Sequence, residues 1–130
     1  MVVVYLALKL KVVLLESGVS WLPSFLWRLS KFWRGVRLEV PWLDCSPSEI
    51  VRDHIRLTIQ PFDGPDDPAA VARLIEHLQS DDILLFASDF PHWQFDGDDI
   101  LPAGIPQNLH AKIRRDNALA TYGRLAAAQT

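Results

Sequence analysis

Apolar residues in this chain fall into runs of two periods. Val12-Val13-Leu14-Leu15 is apolar without alternation, and Glu16-Ser17-Gly18 ends it. A short unbroken run of this kind, half β-branched, predicts a parallel strand buried on both faces over residues 12–16. Ile83-Leu84-Leu85-Phe86 repeats the pattern and leads into Ala87-Ser88-Asp89, predicting a second core strand over 83–88. Between them Ile55, Leu57 and Ile59 alternate with Arg56, Thr58 and Gln60, the signature of a half-exposed strand.

Helical spacing fills the intervals. Trp21, Leu22, Phe25, Leu26, Leu29, Phe32 and Trp33 give a broad apolar face, with Gly35 placed as a C-terminal cap. Ser46-Pro47-Ser48-Glu49 reads as a capping box with proline at the first helical position, opening a short helix that gives way near His54. PFDGPDDP is a loop, and Asp67 caps a helix that begins at Pro68 with Val71, Leu74, Ile75 and Leu78 on one stripe. QFDGDDILPAGIP is a proline-broken loop. Residues 107–125 then predict one or two helices with Leu109, Ile113, Ala118, Leu119 and Tyr122 inward. Strand, helix, helix, strand, helix, strand, helix is an α/β order with a parallel sheet. The count raises a difficulty, because two core strands buried on both faces need neighbours and would otherwise be open edges. The expectation is therefore a piece of a larger sheet, or a chain that associates with itself or with other sheet material.

The totals narrow the classes. A chain of 130 residues is one domain's length. Its net charge of -3 and pI near 5.7 leave no basic footprint for nucleic acid. Arginines between Arg28 and Arg37 are interrupted by Trp and Phe, as on a helix with a solvated basic edge. Cys45 is the single cysteine, which excludes an internal disulfide and a cysteine-only metal site and fits a reduced, cytoplasmic setting. MVVVYLALK lacks the leading positive charge of a secretory signal, and Lys9 and Lys11 break the run well short of the roughly 20 apolar residues of a membrane span. Residues 1–9 are taken as an ill-defined leading segment, 10–125 as the domain, and 126–130 as a frayed tail.

Functional groups of α/β folds gather at the carboxyl ends of strands. Two clusters occupy such ends: Glu16-Ser17-Gly18 with Trp21 beyond, and Ser88-Asp89-Phe90-Pro91-His92 with Trp93 beyond. Asp89 there can hold a divalent metal or take a proton from a water on it, with His92 contacting substrate or orienting the carboxylate. Equally, Asp89 can cap the following turn, with Pro91 fixing that turn and His92 solvated. His54, His77 and His110 form no HxH or HExxH pair, and no phosphate loop or GxSxG elbow is present.

ASDFPHWQFD after an apolar strand resembles the last-strand motif (S/T)-D-(Y/F)-P-H-x-x-x-D of the amidohydrolase-related proteins. These are metal-dependent hydrolases and decarboxylases that include aminocarboxymuconate-semialdehyde decarboxylase. LKVVLLESGVSWLPSFLWRLSKFWRG is similar to the family's seventh strand and its helix, where E-x-G-x-x-W-L-P recurs. SPSEIVRDHIRLTIQP resembles the helix and short strand before the eighth strand, and IRRDNALATYG the closing helix with its Asn-Ala pair.

The resemblance implies a (β/α)8 TIM barrel of which this chain corresponds to the last two βα units, incomplete as a barrel. It implies a metal-dependent hydrolase acting through a metal-activated water, with Asp89 as metal ligand or general base. His92, Trp21 and Trp93 would lie on the substrate side. Zinc is the implied ion and a small molecule the implied substrate, with no nucleic acid or membrane partner. The family's HxH pair has no counterpart here, so the chain alone is expected to hold zinc weakly and to be inactive. The alternative is a non-catalytic remnant or partner subunit that associates with other barrel material.

Overall fold

The computed structural model describes residues 10–92 and 101–127. Within them, three short strands form one parallel sheet in the order β1 (Val12–Leu14), β2 (Ile55–Thr58), β3 (Leu84–Leu85). Val12 pairs with Ile55 and Leu57 with Leu84. The alternating segment is thus the centre of the sheet, which corrects its reading as a half-exposed strand and the count of two units. Leu57 and Ile59 are fully buried on one side of β2, while Arg56, Thr58 and Gln60 are buried as well. Polar residues tolerate that position because each is satisfied. Arg56 Nη1 donates to the carbonyls of Arg52, Asp53 and Ile55, and the Thr58 hydroxyl donates to Gln60 O. A period-two pattern therefore arose from hydrogen-bonding capacity, not from solvent.

Helix α1 (Trp21–Val36) packs on α2 (Pro47–His54) and α3 (Pro68–Leu78). The capping box of α2 forms as its sequence predicts: Glu49 N–H donates to Ser46 Oγ, and Ser46 N–H donates to Glu49 Oε2 at 2.7 Å. Asp67 caps α3 through Ala70 N–H. Gly35 does not stop α1, which continues to Val36 and leaves through Arg37 in right-handed geometry. Only Leu22, Pro23 and Leu26 of α1 are buried, whereas Phe25, Trp27 and Phe32 face outward beside Arg28 and Lys31. The predicted face is therefore too broad: one flank enters the core and the other has no cover among the described residues.

The C-terminal region is α4 (Gln107–Ala111), a π-helical turn (Lys112–Asp116), α5 (Asn117–Thr121) and α6 (Gly123–Ala127). Leu109 and Ile113 are buried as expected, but Tyr122 is exposed. The π turn has a consequence for the sheet. Asn117 N–H bonds back to Lys112 O, one residue further than an α-helix would reach, so Ile113 O is free of that bond and accepts Phe86 N–H at 2.9 Å. Ile83 and Leu85 carbonyls face β2, accepting from Leu57 and Ile59. Leu84 O faces the other way and receives Asn117 Nδ2 at 2.9 Å. Two outer groups at β3 are thereby bonded by the chain itself, so of the two edges expected to be open this one is partly occupied. β1 keeps its outer edge open among the described residues. No helix of the described residues is long and apolar enough to cross a membrane.

Candidate functional site

β1 and β3 are each followed, two and four residues on, by a residue in left-handed geometry. Glu16 has φ 53° and Asp89 φ 59°, a region that non-glycine side chains enter at a cost of about 1–2 kcal/mol. Each reversal turns a carboxylate over the end of the sheet. Asp89 is followed by the cis Phe90–Pro91 peptide, and His92 N–H donates to Asp89 O at 2.8 Å, closing a tight turn. That turn carries His92 Nδ1 to 2.9 Å from Asp89 Oδ1. An ionised carboxylate only accepts, so the proton of this bond belongs to Nδ1. Glu16 Oε1 lies 4.0 Å from the same nitrogen.

Glu16, Asp89 and His92 each offer one ligand atom, all within 4.8 Å of one another. Their exposures differ in kind: the Asp89 side chain is 2% exposed, against 54% for Glu16 and 59% for His92. The Asp89 carboxylate is buried, and the other two side chains are open to solvent. The backbone of Asp89 makes the turn, and its side chain lies beside His92 and Glu16.

The turn after β1 is anchored from the centre of the sheet. Glu16 N–H donates to Thr58 Oγ1 at 2.9 Å. Asp63, in the loop after β2, accepts from the amides of Val19 and Ser20 at 2.6 and 3.0 Å and from the Ser20 hydroxyl at 2.6 Å. Burial pushes the Asp63 carboxyl up, but these hydrogen bonds outweigh it and hold the group below its ordinary value. Gly18, at φ 71°, lies so close that a Cβ there would meet the Asp63 carboxylate at 2.5 Å.

Of the residues singled out from sequence, Asp89 and His92 come together. Trp21 is turned elsewhere: its indole N–H donates to the carbonyls of Ser17 and Gly18, and its ring meets Phe25 edge-on at 5.6 Å. Trp93 lies outside the described residues, as do most of the loop it opens and residues 1–9. Glu16 is the member that sequence reading noted at a strand end but assigned no role. Its signal was the charge itself, immediately after an unbroken apolar run. The remaining histidines are apart: His54 Nδ1 meets Leu10 O, His110 Nε2 meets Ile105 O, and His77 packs edge-on against Trp27.

A search of curated proteins gives no match. The family model for amidohydrolases matches residues 6–124, which spans both strand-end carboxylates and the closing helices. This chain belongs to the amidohydrolase family.

Proposed function

We propose that the chain carries the last strands of a (β/α)8 barrel of a metal-dependent hydrolase, similar to aminocarboxymuconate-semialdehyde decarboxylase and its relatives, with Asp89 as metal ligand or general base. The observation that carries this is the nearly buried Asp89 carboxylate at the end of β3, with an imidazole 2.9 Å away and a second carboxylate beyond it. The donor set fits a divalent ion in kind, with two carboxylate oxygens and one imidazole nitrogen. It fits in size once Glu16 and His92 turn inward, because 4.8 Å slightly exceeds twice a bond of about 2.0–2.2 Å. Zinc, the ion implied by family resemblance, would supply Lewis acidity and an acidified water.

The chain's own residues do the rest. Asp89 holds its oxygen toward the cluster through the His92 Nδ1–H bond, and it is placed to accept a proton there. His92, more than half exposed, faces the substrate side and can turn without disturbing the sheet. The substrate class is a small molecule, as for the family. The sequence has four histidines and no HxH pair, so zinc retention by this chain alone is weak and turnover absent.

The non-catalytic alternative, a subunit that associates with other barrel material, is favoured by the open edge of β1 and the outward Phe25, Trp27 and Phe32. Zinc content and hydrolase turnover of the purified chain, measured beside Asp89→Asn, test the proposal. Weak zinc uptake that is lost in the variant supports it; uptake unchanged by Asp89→Asn overturns the role of Asp89. Stoichiometric zinc with turnover would overturn the inactivity of the isolated chain.

A further inference from the structure

Arg56 is a cation buried in the central strand without a carboxylate to pair it. It is 9% exposed, and among the described residues no acid hydrogen-bonds or ion-pairs with it. Arginine is almost never buried to that extent unless it is paired. Its side chain lines a cavity of about 660 Å3 together with Lys11, Asp53, Asp82 and Lys112. We propose that this cavity binds a small monocarboxylate, gripped at two points by Arg56 Nε and Nη2. Lys11, Asp53 and Asp82 each precede a strand, so the site lies at the amino end of the sheet, away from the end that carries Asp89. It does not depend on the role of Asp89.

The free edge of the guanidinium selects the ligand. Nη1 donates to the carbonyls of Arg52 and Ile55 at 2.8 Å each and to Asp53 O at 3.4 Å, which ties the group to the end of α2. Those three bonds use one nitrogen, and Nε and Nη2 make none among the described residues. Neither is sealed from water, because Trp33 Nε1 is the one buried side-chain nitrogen or oxygen there that lacks a partner. Nε–H and Nη2–H point in parallel, and that edge matches the two oxygens of a carboxylate. The backbone bonds on Nη1 hold the edge in place beforehand, so little side-chain freedom is lost on binding.

The surrounding charges set how much negative charge the cavity accepts. Lys112 Nζ is held by Asp82 at 2.8 Å and by Asp81 at 3.7 Å, and Lys11 Nζ donates to Asp53 O. Arg52 donates to Leu78 O and to Gln79 Oε1. Four cations therefore meet three acids around the cavity, and one positive charge is left over. Burial pushes the Arg56 guanidinium down, and the attraction of Asp82 and Asp53 offsets this only in part. A monoanion neutralises the charge that remains. A dianion brings a second negative charge against Asp53, Asp81 and Asp82.

The test follows the Arg56 Nε–H resonance and the amides of Asp53 and Asp82 in the full chain by heteronuclear NMR. Sodium acetate replaces sodium chloride at constant ionic strength, and circular dichroism checks folding. The wild-type resonances should move together and saturate, and sulfate should bind more weakly than acetate. Arg56→Lys keeps the charge but loses the two-point edge, and should weaken acetate by about tenfold. Asp82→Asn, on an exposed side chain, removes a repelling charge and should strengthen acetate binding. No saturable shift as acetate replaces chloride overturns the site. Sulfate binding tighter than acetate overturns the monoanion, and acetate affinity unchanged in Arg56→Lys overturns the grip of Arg56. If Arg56→Lys does not fold, the wild-type titration and Asp82→Asn still decide, because affinity unchanged in Asp82→Asn overturns the charge balance on which the site stands.

Discussion

The Ser20 hydroxyl donates to Asp63 Oδ2 at 2.6 Å, joining the first residues before α1 to the loop that follows the central strand. With the two amides that bond the same carboxylate, this contact fixes the turn between Glu16 and α1. Because the folded-state pKa of Asp63 is depressed, its contribution is complete above the unfolded value near 4 and is lost as pH falls through the depressed value. Asp63→Asn should therefore melt below wild type at pH 7, and the gap between the two melting temperatures should narrow below about pH 4. A gap that stays constant from pH 7 to pH 3 would contradict the assignment.

Gly18→Ala tests the same turn from the other side. The added methyl needs a left-handed backbone, costing about 1–2 kcal/mol, and it strikes the Asp63 carboxylate at 2.5 Å. Chemical denaturation should show a loss of at least that size, and the variant should lose most of the pH dependence attributed to Asp63.

Asn117→Leu keeps the volume of a buried side chain and removes its two donors. Nδ2 serves both Asp81 O and Leu84 O, so both carbonyls lose a partner. The expected loss is about 1–3 kcal/mol for the buried Leu84 carbonyl left unsatisfied, while the carbonyl of exposed Asp81 can turn to water. Hydrogen exchange should localise the change to Leu84, Leu85 and Phe86 rather than to β1.

The two kinds of apolar residue should separate cleanly. Leu57→Ala, in the fully buried centre of β2, should cost about 2–5 kcal/mol. Phe32→Ser, on the outward flank of α1, should stay within about 0.5 kcal/mol in the same denaturation experiment.

Most of the frame could be read from local signals. Ser46 and Asp67 announced helix starts because capping is a local contract between a side chain and amides two or three residues on. The strand at Val12 and the one at Leu84 were legible because an unbroken apolar run has few other fates. What misled was β2, whose alternation reflects partners brought from distant segments: Thr58 meets Glu16, 42 residues away, and Arg56 turns back on the end of α2. The π turn was equally hidden, since nothing in Lys112–Asp116 distinguishes a five-residue reach from a four-residue one. At the site, Asp89 and His92 were legible as a motif. Glu16 needed the third dimension, because its relation to them runs across the sheet.

The shift of one hydrogen bond at Asn117 also gives the sheet a direction. Among the described residues the outer side of β1 has no strand beside it, whereas Ile113 O and Asn117 Nδ2 occupy two outer groups at β3, so a further strand meets β1 directly and must displace those two bonds to meet β3. An incoming barrel segment finds its first place beside β1. Two copies meeting at β1 would each cover the other's open edge, so pairing there favours a dimer over a fibre.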